Sequence, residues 1–267
     1  MESSLIRNSR ASDKWTTDRA QLLDERSLKA LFAGDIPAII LPGFIAQSSC
    51  GVIVENLQRI GMGNYSHVNH AVGRLGLAQM EYHLKCDKAG YFSRVSDAAN
   101  VYNSAIEFAE NPLQKLIQFL GHAQSGGVEI AQDDEFGTYF AGSFRNVMTV
   151  GHLHYDFAPF EALGWSVDAI ASQLSWNLYL SQPTGGDLHV YNRMYQPSDE
   201  ALRVSGEYYY EQQIVAGVDQ FTYSPRVGDI VIFNCRNFHE VKPVNGDRYS
   251  LSSFIGKTKS NDLVLWS

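Results

Sequence analysis

The stretch 173–192, QLSWNLYLSQPTGGDLHVYN, decides the fold. Its opening alternates strictly: Leu174, Trp176, Leu178 and Leu180 share one face, and Ser175, Asn177 and Tyr179 share the other. A period of two is the signature of a strand with two distinct faces. Gln182-Pro-Thr-Gly-Gly186 then reads as a turn, and Asp187–Asn192 as the returning strand. Further strands are expected in EYYYEQQIVAG (207–217), QFTYSP (220–225), DIVIFNC (229–235) and RYSLSSFIG (248–256), each bounded by Pro, Gly, Asn or Asp. Many short strands separated by such turns predict a jelly roll or barrel.

Working outward, the character changes at about Tyr139. Before it, helices are expected at Ser27–Phe32, after Ser48 as a cap (with Val52, Leu57 and Ile60 on the apolar face), at Asp97–Ala109, and from Pro112 to about Leu120. Ile36–Leu41 reads as a buried strand that Pro42-Gly43 ends. Gly61–Phe92 carries five glycines and weak periodicity, which predicts a long connection with short elements that covers a site. The expected fold class is α+β with a mainly β core, built as one domain over 1–267: a helical support and lid region at 1–138, and the jelly-roll core at 139–267.

The bulk numbers remove several function classes. With 45% hydrophobic and 19% charged residues the chain has the composition of a folded globular protein. A net charge of -8 without a Lys/Arg cluster argues against nucleic acid and membrane surfaces as partners. The first fifteen residues lack an apolar run, so no signal peptide is expected, and no stretch has the length of a membrane span. Cys50, Cys86 and Cys235 are odd in number and widely spaced, as in a reduced cytoplasmic protein. Nothing in the sequence sets an oligomeric state.

The strongest chemical signal is His154-Tyr155-Asp156. Residues two apart on a strand point the same way, so an imidazole and a carboxylate can meet one metal. His239 is the candidate third ligand. Two histidines and a carboxylate make the facial set of non-haem iron(II) oxygenases, with coordination positions left open. Nine residues on stands Arg248, which shares a strand face with Ser250, Ser252 and Phe254. A buried guanidinium beside a hydroxyl is a clamp for a carboxylate.

The ordered set His154-x-Asp156, His239, Arg248-x-Ser250 resembles the Fe(II)/2-oxoglutarate-dependent dioxygenase superfamily. So do the framing segments SWNLYLSQPTGGDLHVYN and RVGDIVIFNCRNFHEVKPVNGDRYSLSSFIG, and near the start DIPAIILPGFIAQSSCGVIVENL. The wording is closest to the group of small-molecule and N-acyl amino-acid hydroxylases and aliphatic halogenases. The resemblance implies a double-stranded β-helix. It implies Fe(II) on His154, Asp156 and His239, and the distal carboxylate of 2-oxoglutarate on Arg248 with Ser250 in support. O2 would be the oxidant and a small molecule the substrate. Phe254 is a candidate wall of the substrate space and Arg74 a candidate anchor for an anionic substrate group. Asn177 and Tyr179 either line the co-substrate pocket or face solvent. His152 and His189 read as structural histidines.

Hydroxylation of an unactivated C–H is the leading expectation. Halogenases of this fold lack the carboxylate ligand, because halide takes its place, and Asp156 argues against that chemistry. Desaturation, ring closure and epoxidation share the same oxidant and stay open. A non-oxidative cupin-type protein is the reading from another class, and it would need no Arg248-Ser250 clamp.

Overall fold

The computed structural model describes residues 14–64 and 72–267. The leader reading up to Asp13 and the 65–71 part of the glycine-rich connection lie outside them. Helix α1 (Glu25–Ala33) starts where Asp24 accepts the Ser27 amide at 2.6 Å and ends on Gly34 in the left-handed region. Strand β1 (Ala38–Leu41) follows, then α2 (Gln47–Ile60). Ser48 does not cap α2: Ala46 holds that position without a side-chain bond. The buried face of α2 runs through Cys50, Ile53 and Leu57 instead, and Ile60 is exposed.

The Gly61–Phe92 connection does carry short elements: β2 (Gly63–Asn64), β3 (Val72–Leu75), α3 (Gln79–Leu84) and α4 (Lys88–Ser93). Helix α5 (Val95–Ala105) precedes α6 (Pro112–His122), whose first residue is the expected proline under an Asn111 cap. The run of strands expected from about Tyr139 begins earlier, at β4 (Val128–Ile130), followed by the small β5–β6 hairpin (Gln132–Asp133, Gly137–Thr138). The core then runs β7 (Ser143–Val147), β8 (Gly151–His154), α7 (Ala158–Glu161), β9 (Ser172–Tyr179), β10 (Thr184–Gly185) and β11 (Leu188–Met194). It ends with β12 (Gln220–Tyr223), β13 (Ile230–Phe233), β14 (Asn237–Val241), β15 (Val244–Asn245), β16 (Arg248–Lys257) and β17 (Leu263–Trp266).

Among the described residues the large sheet runs β1-β13-β9-β16-β7-β3-β2, with β17 also on β16 and β4 beside β17. A smaller sheet runs β12-β11-β14-β8. The chain passes from large to small sheet three times: between β7 and β8, between β9 and β11 through the Gly-Gly turn, and between β13 and β14. The third crossing is a turn in which the Asn237 amide donates to the Asn234 carbonyl (3.1 Å) and the Arg236 amide to the Asn234 side chain (3.1 Å). Alternation between two sheets in this way is the double-stranded β-helix. The 1–138 segment is more than support and lid, because it supplies β1, β2, β3 and β4 to the large sheet.

Leu174, Trp176, Leu178, Leu251 and Ile255 pack on one side of the large sheet against Ile53, Leu57, Tyr102 and Leu116 of the helices. Burial of these side chains stabilises the fold by roughly 1.5–3 kcal/mol each. The other face of that sheet turns toward the smaller one, and the cavity opens between them.

Segment 207–217 is not a strand. It holds a short 3-10 turn at Gln212–Val215 and one isolated bridge, Arg203 to Tyr210. Its three tyrosines take separate environments: Tyr208 reaches the cavity, Tyr209 stacks on His152 at 4.2 Å, and Tyr210 joins Tyr155, Tyr195 and Phe238 on the back of the small sheet. Aromatic residues that raise strand propensity here serve as anchors of a loop.

Candidate active site

Antiparallel pairing of β14 with β8 sets His239 directly opposite His154. Their rings lie 4.2 Å apart by centroid. Asp156 follows the end of β8, where its amide donates to the Cys235 carbonyl at 2.8 Å. This pin from the β13–β14 turn brings the carboxylate back to the histidines. Asp156 Oδ2 stands 3.4 Å from His239 Nε2 and 3.8 Å from His154 Nε2. One ligand atom from each residue lies within 4.8 Å of the others.

Both imidazoles are oriented by their own strands. His154 Nδ1 faces the His152 carbonyl at 2.6 Å, and His239 Nδ1 faces the Asn237 carbonyl at 2.9 Å. A carbonyl partner requires a proton on Nδ1, which leaves the Nε2 lone pairs toward Asp156. Burial, and then the neighbouring His239, pulls the His154 pKa down to about 4, so its ring is neutral at physiological pH. Burial opposes the charge on Asp156, but the two histidines that face it, His239 first, outweigh burial and hold the carboxyl below its usual range. Two imidazole Nε2 atoms and a carboxylate oxygen are the donor set that a divalent iron ion takes, and they leave one side open to the cavity.

The other half of the cavity is cationic. Arg248, 3% exposed, opens β16. Its amide donates to Asn146 Oδ1 (3.0 Å) and its Nε to the Gly186 carbonyl (3.1 Å). Burial pulls its pKa down from the usual guanidinium value without removing the charge. Its Cζ lies 5.1 Å from the Tyr179 ring, and the buried Tyr179 hydroxyl has no hydrogen-bond partner. The Arg248 guanidinium and the Ser250 hydroxyl line the cavity, the Tyr179 phenol stands beside Arg248, and these are donors that suit a carboxylate. Observed donors thus fit 2-oxoglutarate as well as iron.

The cavity between these groups has a volume of about 260 Å³. His154, Asp156, His239, Arg248, Ser250 and Phe254 all line it. Asn177 lines it as well, so the polar face of β9 looks inward rather than to solvent. Arg74 does not line it. Its Nη2 lies 2.7 Å from Glu81 Oε2 and its Nη1 donates to the Gly76 carbonyl, so the guanidinium is folded onto α3. His189 stays outside the cavity, as expected.

Reasoning from sequence missed Arg145, Glu161, Arg203 and Tyr208, which line the cavity too. Arg145 was legible in principle: SFRNV alternates, with Ser143, Arg145 and Val147 on one face. Glu161 sits one turn into α7 and accepts the Phe157 amide at 2.8 Å. Nothing local marks Arg203 and Tyr208, which arrive by a loop.

The family model described as carrier-protein-independent halogenase WelO5 matches residues 18–267. The L-gamma-glutamyl-L-propargylglycine hydroxylase of Streptantibioticus cattleyicolor is 30% identical over 258 residues, which is 93% of this chain and 94% of that one. Leucinostatins biosynthesis cluster protein S of Purpureocillium lilacinum is 32% identical over 210 residues, 73% of this chain and 86% of that one. An N-substituted L-amino acid dioxygenase from Burkholderia ambifaria shares the fold: TM-score 0.62 at 12% identity, over 91% of each chain. The chain belongs to the WelO5 family.

Proposed function

We propose that this enzyme hydroxylates an unactivated C–H bond of a small amino-acid derivative or specialised metabolite, consuming 2-oxoglutarate and O2 and releasing succinate and CO2. His154, Asp156 and His239 would hold the iron. Arg248 and Ser250 would bind the distal carboxylate of 2-oxoglutarate, with Tyr179 adding a third donor. Phe254 walls the substrate space, and Arg74 braces α3. Bound iron supplies the oxidising chemistry, and the chain orients both substrates and excludes bulk water.

Asp156 carries the choice of hydroxylation. The family description names a halogenase, and a halide needs a coordination position. Here the carboxylate of Asp156 points at both histidines at 3.4 and 3.8 Å and would fill that position. The names of the relatives, a peptide-like hydroxylase substrate and a biosynthetic cluster, support the substrate class. The test is to incubate the iron-loaded protein with 2-oxoglutarate, O2, excess chloride and a panel of γ-glutamyl and N-acyl amino acids, and to resolve products by mass. Products heavier by one oxygen, formed with equimolar succinate, are expected. Mainly chlorinated product would overturn the reading. Asp156→Gly is expected to lose most hydroxylation, and a wild-type rate in that variant would remove Asp156 from the metal set.

A further inference from the structure

One row of side chains crosses the cavity face of the large sheet. Register pairs Tyr179 with Ser250, Ser250 with Arg145, and Arg145 with Arg74, so the four stand side by side on β9, β16, β7 and β3. Tyr179 and Ser250 flank Arg248, at the co-substrate end. Arg74, at the far end, is taken by the Glu81 carboxylate of α3. Arg145 lies between, on the cavity wall. Its positive charge is felt by His154, Asp156, Tyr208 and Arg248, which places it centrally among the lining groups.

Helix α3 treats the two arginines differently. It gives Arg74 a carboxylate, but to the cavity it presents Gln79. That side chain is 5% exposed, lines the cavity, and its Nε2 has no acceptor. A buried amide donor left without an acceptor destabilises the fold, and a ligand oxygen would satisfy it.

We infer that Arg145 and Gln79 form a second carboxylate-binding subsite, separate from the Arg248 clamp, and that the enzyme selects substrates bearing a free carboxylate. This rests on the proposed reading of the cavity as an oxygenase site. The guanidinium supplies charge and a planar pair of donors, and the amide adds a third hydrogen bond. Arg145 and Gln79 are then determinants of specificity, and the iron faces the part of the substrate remote from its acid group.

Binding of N-acetyl-L-leucine, N-acetyl-L-norvaline and N-acetyl-L-methionine, each as free acid and as primary amide, tests this by calorimetry. The protein is loaded with Mn(II) and saturating 2-oxoglutarate without oxygen. Wild type is expected to bind the acid at least tenfold more tightly than the amide, and Arg145→Gln to bring the ratio within about threefold, the size of a lost charged partner. Arg145→Lys is expected to keep part of the preference. Gln79→Ala, which leaves the sheet untouched, is expected to weaken the acid about fivefold and the amide less, the scale of one hydrogen bond. Equal binding of acid and amide by wild type, no binding of either, or a preference that survives in both Arg145→Gln and Gln79→Ala would overturn the subsite. A fall of more than about tenfold in 2-oxoglutarate affinity in Arg145→Gln would assign Arg145 to the co-substrate instead. Failure of wild type to bind 2-oxoglutarate at all would sink the oxygenase reading, which the co-substrate titration reports separately.

Discussion

At the residue scale the site depends on a few groups whose partners are fixed before any ligand arrives. Arg248 is the plainest case. Its Nε is committed to the Gly186 carbonyl at 3.1 Å, which points the rest of the guanidinium along the cavity. Arg248→Ala would leave a distal carboxylate unpaired in a mostly dry pocket. A loss of that kind costs on the order of 2–5 kcal/mol, so 2-oxoglutarate affinity is expected to fall at least ~30-fold. Arg248→Lys is expected to recover only part, because an ammonium lacks the planar two-bond contact. The measurement is a titration of the iron-loaded, oxygen-free protein through its charge-transfer absorbance. Unchanged affinity in Arg248→Ala would move the anchor elsewhere.

At the element scale the turn between β9 and β11 positions that arginine. Gly186 has φ +76, and a Cβ there would lie 3.1 Å from both Arg248 Cδ and Val244 Cγ2. Gly206 offers a control: its φ is +78, and nothing lies within 4 Å of an added Cβ. Alanine at either position is expected to cost about 1–2 kcal/mol of backbone strain. Gly186→Ala alone is expected also to weaken 2-oxoglutarate, by about tenfold, since it displaces the guanidinium rather than removing it. Equal co-substrate affinity in the two variants would show that the turn does not steer Arg248. The β13–β14 turn works in the same way for the metal set, because the Cys235 carbonyl that it exposes holds the Asp156 amide.

At the scale of the whole molecule, burying an acid in the cavity couples stability to pH. Burial, followed by the nearby Asp156 charge, raises the Glu161 pKa from 4.5 to about 8. Between those values the folded protein holds this proton more tightly than the unfolded chain does. The Glu161 contribution to stability is therefore full below about pH 4.5 and is lost as pH rises to about 8. Glu161→Gln removes that dependence. Denaturant midpoints of the metal-free protein are expected to show the variant gaining on wild type as pH rises from 5 to 8. A constant difference across that range would mean that Glu161 is ionised in the fold. Among the described residues no helix is long and apolar enough to cross a membrane.

The sequence by itself determined the β core, the turns and the iron and co-substrate candidates. Those features are local or periodic. Alternation in 173–180 and 248–254 settles which residues share a face, His-x-Asp is a spacing of two along the chain, and the Gly-Gly turn is a backbone requirement. Only the tertiary structure decided which arginine meets the cavity. Arg74 and Arg145 stand opposite each other on neighbouring strands, and a carboxylate from α3, seven residues beyond Arg74, draws one of them away. Segment 207–217 shows the same limit. Its strand-like run of tyrosines is divided among a cavity, a histidine stack and an aromatic cluster, because long-range packing outweighs intrinsic strand preference. The inward face of β9 was likewise undecided until the small sheet closed over it, since a polar strand face reads the same whether it meets water or a polar cavity.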